Sequence, residues 1–293
     1  MARRRPPTVH GLAVVDKPAG ITSHDVVDQL RRRFGERRVG HAGTLDPDAT
    51  GVLLVGVGSV TRLLRFLTEL GKTYTAEVVL GMETTTLDAA GEATATHDMT
   101  GVTVDDARRA VAEHLTGEIL QVPPMVSALK VGGRRLHELA REGIEVEREA
   151  RPVTVWRFTV DATDDPLVLR IEVTCSSGTY VRTLAADLGR LLGGGAHLRS
   201  LRRTASGSFT VEEAAPPETC ELLPPPAALR DRTQVVVDDD TAAFVRNGRV
   251  LPAFAGPPPW AVSDPQGRLL ALYEPFRVAE AKPAVVLSSG EDG

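Results

Sequence analysis

Several features that define whole classes of protein are scarce or missing in this sequence. Only two cysteines occur, Cys175 and Cys220, and their separation excludes a CxxC metal or redox pair. The seven histidines show no HExxH or other paired-ligand spacing, so we predict no bound metal. No apolar run approaches the ~18 to 20 residues of a membrane span, and the basic start MARRRPP lacks the apolar segment of a secretory signal. We therefore expect a cytoplasmic protein without a membrane segment.

An excess of positive charge is also missing, although basic residues are locally concentrated. The chain has 34 basic and 39 acidic residues, a net charge of −5, which argues weakly against nucleic acid. Basic clusters occur at Arg31, Arg32, Arg33, Arg37 and Arg38, at Lys130, Arg134 and Arg135, and at Arg199, Arg202 and Arg203, which we place at the end of a helix. Three clusters could form one footprint around a phosphate backbone. Solvated helix faces would produce the same pattern, and charge alone does not decide between the two.

The composition that remains is that of a globular protein. Hydrophobic residues make up 42% and charged residues 25% of the 293 positions, which excludes a disordered or fibrous chain. The length is about twice that of a typical domain and predicts one large core with a smaller module.

The most informative segment is GHAGTLDPDATG, residues 40–51. Its glycines allow tight backbone geometry, Pro47 fixes the exit direction, and the apolar run 52–57 predicts a buried strand directly afterwards. Asp46 would then lie at the mouth of a sheet, where catalytic groups are often held. Asp46 and Asp48 could instead be ordinary turn formers, because Asp beside Pro and Gly is the usual composition of a tight turn. This segment alone favours the simpler interpretation.

Periodicity predicts the elements around this turn. We expect helices at 25–34 with a cap at Thr22 or Ser23, at about 60–69, at 104–115, at 135–141 and at 184–192, and strands at 12–15, 72–80, 153–160 and 167–176. Residues 82–100 are predicted to be a loop, and residues 233–287 to be short strands. The segment CSSGTYVRT is predicted to lead from a strand into a helix start, with Tyr180 and Arg182 pointing the same way to stack on a planar ligand and to pair with a carboxylate. Taken singly, a surface arginine beside a half-buried tyrosine is favoured.

Taken together, five segments resemble the TruB family of bacterial tRNA pseudouridine-55 synthases. They are GLAVVDKPAGITSHDVV, RRVGHAGTLDPDATGVLLV, KTYTAEVVLG, QVPPMVSALKVGGRRLHELAREG and CSSGTYVRTLAADLG, in that order, and they cover about residues 11–209. The resemblance implies an α/β (α+β) fold, with a mixed, mainly antiparallel sheet flanked by helices and a small β-rich C-terminal domain. The expected divisions are a disordered arm 1–10, a catalytic domain 11–213 with a mobile RNA-binding thumb at about 121–152, a linker 214–232, a PUA-like domain 233–287 and a disordered tail 288–293.

By this resemblance Asp46 is the catalytic carboxylate of a uridine isomerisation that needs no cofactor. Whether it attacks C6, attacks C1′ or removes a ribose proton stays open. The carboxylate must be ionised, and we expect an Arg182 guanidinium beside it to lower its pKa more than desolvation raises it.

The resemblance also implies binding and supporting roles. Tyr74 falls on the KxY motif, where a tyrosine stacks on the uracil and can accept the C5 proton. His41, Tyr180 and Leu201 match positions that line the base site, and Lys130, Arg134 and Arg135 suit the thumb. Lys17, Pro18 and Gly43 are predicted to support the active-site loop.

The implied partner is the T-arm of tRNA, with no nucleotide cofactor, and the protein is expected to be a monomer. The principal alternative is an RNA-binding or tRNA-folding module with secondary or no catalysis. A glycoside hydrolase using Asp46 and Asp48 is disfavoured, because two residues around one proline do not flank a bond as acid and base. A dinucleotide-binding site at the string GVGSVT is also disfavoured, because the string lacks the final glycine of the dinucleotide fingerprint.

Overall fold

The computed structural model describes residues 7–127 and 129–287, with every side chain in them except those of Lys130, Arg135 and His137. Their contacts form two compact units, the first from residues 7–70 and 205–287 and the second from residues 71–204. Of the predicted arm, residues 1–6 lie outside the described residues, as does the predicted tail 288–293. The backbone N–H of Thr8 donates to the Glu36 carboxylate at 3.3 Å.

The strands, in chain order, are β1 (Gly11–Lys17), β2 (Val39–His41), β3 (Thr50–Val57), β4 (Lys72–Leu80), β5 (Met82–Thr84), β6 (Ala93–Thr96), β7 (Gly117–Gln121), β8 (Lys130–Val131), β9 (Arg134–Arg135), β10 (Arg151–Ala162), β11 (Val168–Cys175), β12 (Ala196–Ser206), β13 (Phe209–Thr210), β14 (Leu222–Leu223), β15 (Thr233–Val236), β16 (Leu251–Pro252), β17 (Trp260–Ser263), β18 (Leu269–Pro275) and β19 (Glu280–Val286). The α-helices are α1 (Ser23–Phe34), α2 (Leu64–Thr68), α3 (Val104–His114), α4 (Leu136–Arg141), α5 (Val181–Leu191) and α6 (Asp239–Arg246). Short 3₁₀ helices span Gly58–Leu63 and Pro225–Leu229.

In the first unit, β1 pairs antiparallel with β3 along its whole length, and β2 and β14 add to this pair. Helix α1 begins with a capping box, in which Thr22 and Asp25 each bond the other's backbone N–H. It ends at Gly35, whose φ of 62° is the left-handed conformation that stops helices. The predicted cap and the predicted helix are therefore confirmed.

The C-terminal strands of the first unit form a sheet in the order β15-β17-β18-β19-β16, in which only the β15–β17 register is parallel among the described pairs. Residues from β1 and β3 share one apolar cluster with residues from β17, β18 and β19. The prediction of strands alone in this region is wrong, because α6 lies within it. Asp238 caps this helix by accepting from the Thr241 N–H, and Asp239 and Asp240 lie in its first turn.

The second unit is built on strands in the order β12-β4-β11-β10-β7. The printed register runs antiparallel from Lys72↔Cys175 to Val79↔Val168 between β4 and β11. Side chains alternate between buried and half-buried along β4, as the period of two predicted. Helix α3 packs against β10 and α5. The predicted class, a mainly antiparallel sheet flanked by helices with a β-rich C-terminal region, is confirmed, whereas the domain boundaries stay predictions.

Three local predictions were wrong. Residues 82–100 contain the antiparallel pair β5 and β6, whose short Thr and Ala segments resemble a loop in composition. Arg199, Arg202 and Arg203 lie in β12 and do not close a helix, because the chain after the glycines 193–195 pairs with the sheet. Helix α5 begins at Val181 and not at Leu184, so Arg182 lies in a helix and not on an extended segment.

Candidate active site

The segment around Asp46 forms a tight turn directly before β3. The Ala49 N–H donates to the Asp46 carbonyl at 3.1 Å, which places Pro47 and Asp48 at the corners of the turn. The Asp46 side chain is half-buried, whereas Asp48 is exposed. Gly43 has a φ of 96°, which an L side chain adopts only with strain. The turn therefore presents one aspartate toward partly dry surroundings and the other toward water.

Lys17 holds this turn in place through hydrogen bonds to backbone carbonyls. Its Nζ donates to three backbone carbonyls, those of Pro18 at 2.8 Å, Ile21 at 2.6 Å and Pro47 at 2.8 Å, and its side chain is fully buried. The Gly20 N–H also donates to the Pro47 carbonyl at 3.0 Å. A charged donor shared by three carbonyls joins the loop after β1 to the residue that follows Asp46.

Two further contacts position the approach to Asp46. The Ser23 hydroxyl accepts from the Leu45 N–H at 2.9 Å and lies 3.1 Å from the Leu45 carbonyl, so the first turn of α1 bonds the residue before Asp46. His41 ends β2 and meets the ring of His24 edge-on, with the ring centroids 6.4 Å apart. The backbone on the N-terminal side of Asp46 is thus bonded to α1, and that on the C-terminal side to Lys17.

In the second unit, Tyr74 lies near the start of β4, opposite Val173 of β11. Its side chain is only 9% exposed, as expected for a ring held firmly between neighbouring strands. Its neighbour in β4, Lys72, is also buried and pairs in register with Cys175. Burial raises the pKa of the Cys175 thiol to about 11, although a hydrogen bond with Thr179 and the charge of Lys72 oppose the rise.

Tyr180 is the residue that caps α5, with extended backbone angles. The Gln121 side chain makes two hydrogen bonds to its backbone, accepting from the Tyr180 N–H at 2.8 Å and donating to the Tyr180 carbonyl at 3.1 Å. Gln121 is 2% exposed. No role was predicted from the sequence for Gln121, which is the last residue of β7. Its place two residues before the first of the prolines 123–124 was the available signal.

Arg182 lies in the first turn of α5 with its side chain 5% exposed. Within its own unit, Nη1 donates to the Thr86 carbonyl at 2.9 Å and lies 3.4 Å from Asp88 Oδ2, and Nη2 donates to the Val126 carbonyl at 3.0 Å. Asp88 lies in the segment 82–100 that was predicted to be a loop. The carboxylate also accepts from the Thr86 hydroxyl at 2.5 Å and the Ala90 N–H at 3.1 Å, so it is well satisfied in that turn.

The remaining predicted binding residues are dispersed over the second unit. Leu201 is half-buried in β12. Arg134, in β9, pairs with Glu142 at 2.5 Å, and this carboxylate raises the pKa of the guanidinium. Lys130 and Arg135 have their backbones in β8 and β9, and their side chains lie outside the described ones.

The first basic cluster divides into two kinds of residue. Arg31 pairs with Asp28 at 2.7 Å, and Arg33 donates to the Pro217 carbonyl at 3.1 Å, so these two side chains have structural partners. Arg32, Arg37 and Arg38 are exposed. Within this cluster, the choice between a phosphate-binding surface and a solvated face therefore concerns these three arginines.

The structure thus assembles the candidate residues in two groups. The first unit contains Lys17, Pro18, His41, Gly43 and Asp46. The second unit contains Tyr74, Tyr180, Arg182 and Leu201. The pairing of Asp46 with Arg182 stays a prediction. Among the described residues, no cluster of three or more His, Cys, Asp or Glu side chains is arranged to hold a metal ion. None of the helices in the described ranges is long and apolar enough to cross a membrane.

Comparison with known protein families matches this chain to pseudouridylate synthases over most of its length. Residues 31–181 match the TruB family pseudouridylate synthase N-terminal domain. Residues 182–219 match the tRNA pseudouridylate synthase B C-terminal domain, and residues 233–288 match the C-terminal family of tRNA pseudouridine synthase II. The chain therefore belongs to the TruB family.

The curated proteins to which this chain is similar include tRNA pseudouridine synthases B. The tRNA pseudouridine synthase B of Rhodococcus jostii is 49% identical over 276 residues, which cover 90% of each chain. That of Corynebacterium aurimucosum is 47% identical over 273 residues, covering 90% of this chain and 92% of the relative. Among solved structures, a Cbf5-Nop10-Gar1 complex contains a chain that is 25% identical with a TM-score of 0.72, and the match covers 95% of this chain and 84% of that chain.

Proposed function

We propose that this chain isomerises uridine 55 in the T-arm of tRNA to pseudouridine, with Asp46 as the catalytic carboxylate. The observation that carries the proposal is the clamped turn of GHAGTLDP, in which Lys17 and Ser23 fix the backbone on both sides of a half-buried aspartate. The curated relatives at 47–49% identity named tRNA pseudouridine synthase B support the substrate class.

The reaction breaks the bond between uracil N1 and ribose C1′, rotates the base and joins C5 to C1′. The C5 proton is lost to solvent and N1 gains one, so no atom is added and no cofactor is needed. Asp46 acts as an ionised group, by attack on C6, attack on C1′ or removal of a ribose proton. A preorganised turn favours any of the three, because the carboxylate is held in position before substrate binds.

The target base lies inside a folded RNA loop, so it must be flipped out before reaction. Flipping costs a few kcal/mol, and stacking on an aromatic side chain returns roughly 1 to 3 kcal/mol per base. Tyr74, Tyr180 and His41 are the rings proposed for this role. The buried position of Tyr74 in β4 supports it, because a ring with few alternative rotamers loses little entropy on stacking.

Arg182 is proposed to steady Asp46, and residues 121–152 to close on the RNA. The proposal for Arg182 is supported by its burial, since a buried guanidinium in a polar network is well placed to lower the pKa of a carboxyl beside it. Within the insertion, Lys130, Arg134 and Arg135 would contact phosphates, and the Arg134 guanidinium would exchange Glu142 for a phosphate oxygen. We further propose a cytoplasmic, monomeric enzyme.

The test is tritium release from tRNA labelled at uridine C5. We expect the native chain to release tritium, Asp46→Asn to release none within detection, and the matched control Asp48→Asn to retain most activity, because Asp48 is an exposed turn former. Equal loss in both variants would contradict the assignment and revive a two-carboxylate mechanism. RNA binding by the native chain without any release would favour the tRNA-folding module instead.

A further inference from the structure

Gln121 lies where the insertion leaves the sheet of the second unit. It is the last residue of β7, opposite Arg151 of β10 in the register, so the two ends of the insertion 121–152 start from one antiparallel pair. Its side chain is nearly fully buried, and both polar atoms of its amide are hydrogen-bonded to one residue, Tyr180. Removing a buried amide of this kind is costly, because loss of its oxygen leaves the Tyr180 N–H without this acceptor and loss of its nitrogen leaves the Tyr180 carbonyl without this donor.

The backbone of Tyr180 dictates which way the Gln121 amide points. The Tyr180 N–H can only donate, so its partner at 2.8 Å must be Oε1, and the Tyr180 carbonyl can only accept, so its partner at 3.1 Å must be Nε2. The side chain thus replaces one peptide of a neighbouring strand. It holds Tyr180 in extended geometry, with φ −99° and ψ 106°, at the point where α5 begins.

A second contact joins the same segment to α5 two residues later. Val126, five residues into the insertion, accepts from Arg182 Nη2 at 3.0 Å. The start of the insertion is therefore bonded to Tyr180, which caps α5, and to Arg182 in the first turn of α5. The proposed function assigns Tyr180 to stacking on the base and Arg182 to steadying Asp46. Of the two contacts, the one from Gln121 is made by a side chain of the insertion, so it can be altered by a substitution within the insertion.

We infer that Gln121 is a positioning residue for Tyr180, coupling the start of the insertion to the part of the site that receives the flipped base. The inference rests on the proposed function. In this inference Gln121 acts through Tyr180 and not through the reacting atoms. Its effect is to hold the Tyr180 backbone, and a shift of about 1 Å in a positioning group can cost roughly 100-fold in rate.

The sharpest variant is Gln121→Glu, which keeps the length and shape of the side chain. Its carboxylate still accepts from the Tyr180 N–H but meets the Tyr180 carbonyl with a second oxygen, whereas the protonated acid can donate as the amide does. Burial raises the pKa of such a carboxyl, so protonation becomes accessible at mildly acidic pH. We expect the single-turnover rate of tritium release, with enzyme in excess, to fall at least about tenfold at pH 8 and to recover substantially at pH 6 relative to native enzyme.

The matched control is Glu118→Gln, an exposed residue of the same strand. It should follow the native pH profile and rate. Gln121→Asn, shorter by one methylene, should lose rate at both pH values without acidic recovery. A Gln121→Glu rate and pH profile equal to those of Glu118→Gln, whatever happens to Tm, would overturn the inference, because a purely structural residue would lower stability alone. If the native enzyme itself releases no tritium, the proposed function fails and the inference fails with it, whereas release by native enzyme with an unaffected variant refutes only the role of Gln121.

Discussion

The guanidinium of Arg182 lies 3.4 Å from the carboxylate of Asp88, in a network that also includes the carbonyls of Thr86 and Val126. One buried side chain of α5 therefore bonds two other segments of the second unit, the turn after β5 and the start of the insertion. The planar fork of arginine suits this task, because its donors leave the same carbon in fixed directions. A residue with this many partners is a structural centre as well as a candidate for steadying Asp46.

Arg182→Lys should therefore be far from conservative. Lysine keeps the charge but cannot reach the Thr86 and Val126 carbonyls together, and each lost hydrogen bond of a charged group is worth about 1.5 to 3 kcal/mol. We expect kcat to fall by about 10- to 100-fold, since 1.4 kcal/mol corresponds to a factor of ten. Steady-state tritium release measures this, with Arg190→Lys as the control on the exposed end of α5. A native kcat in Arg182→Lys would show that charge alone is sufficient.

Lys17→Met should loosen the turn that holds Asp46. The substitution leaves three carbonyls without their charged donor in a fully buried position, and we expect a loss of about 3 kcal/mol in the free energy of unfolding. Urea titration followed by circular dichroism measures this loss. The control is Lys282→Met, whose exposed ion pair with Glu274 is worth at most about 1 kcal/mol. Equal losses in the two variants would show that the carbonyl clamp contributes nothing specific.

Asp264 should make the first unit sensitive to acid. Burial acts to raise the pKa of this carboxyl, but hydrogen bonds and charge from Arg268, with a bond from the Gln266 N–H, together lower it below the ordinary 3.8. Because the folded pKa is the lower one, the stabilisation is present above the unfolded value of 3.8 and is lost as pH falls through the folded value. Asp264→Asn should therefore have a lower Tm than native protein at pH 7, and the difference should shrink below about pH 4. A difference that does not change with pH would contradict the pairing, and Asp164→Asn, on an exposed turn, serves as the control.

Both thiols should be unreactive in the folded protein. Burial raises the pKa of Cys175 to about 11 and also raises that of Cys220, against the influence of Arg33. The reactive thiolate is therefore scarce at pH 8. A colorimetric disulfide reagent should label native protein slowly and should titrate two thiols after unfolding in urea. Rapid labelling of folded protein at pH 8 would show that one site is open to solvent.

The elements with a clear period or a clear cap were predictable from the sequence. Strand β4 has the predicted bounds because its alternation runs unbroken from Lys72 to Leu80, and α1 begins where Thr22 and Asp25 form a capping box. Helix α6 was also predictable, because the run of aspartates at 238–240 is a helix-start signal.

The contacts of the candidate site were less predictable, because they depend on partners distant in the sequence. Gln121 and Tyr180 are 59 residues apart, and Arg182 and Val126 are 56 apart. No local period reports such pairs. The strand β12 was missed for a similar reason, since its arginines favour a helix locally and only pairing with the sheet makes the segment extended.

The apolar cluster of the first unit can be completed only after its C-terminal strands have been synthesised. Leu12 and Val14 of β1 belong to the same cluster as Val285 and Leu287. The inner face of β1 is therefore incompletely covered until residues 285–287 have been synthesised. A nascent chain stalled before residue 260 would therefore expose the apolar face of β1 and become a target for chaperones.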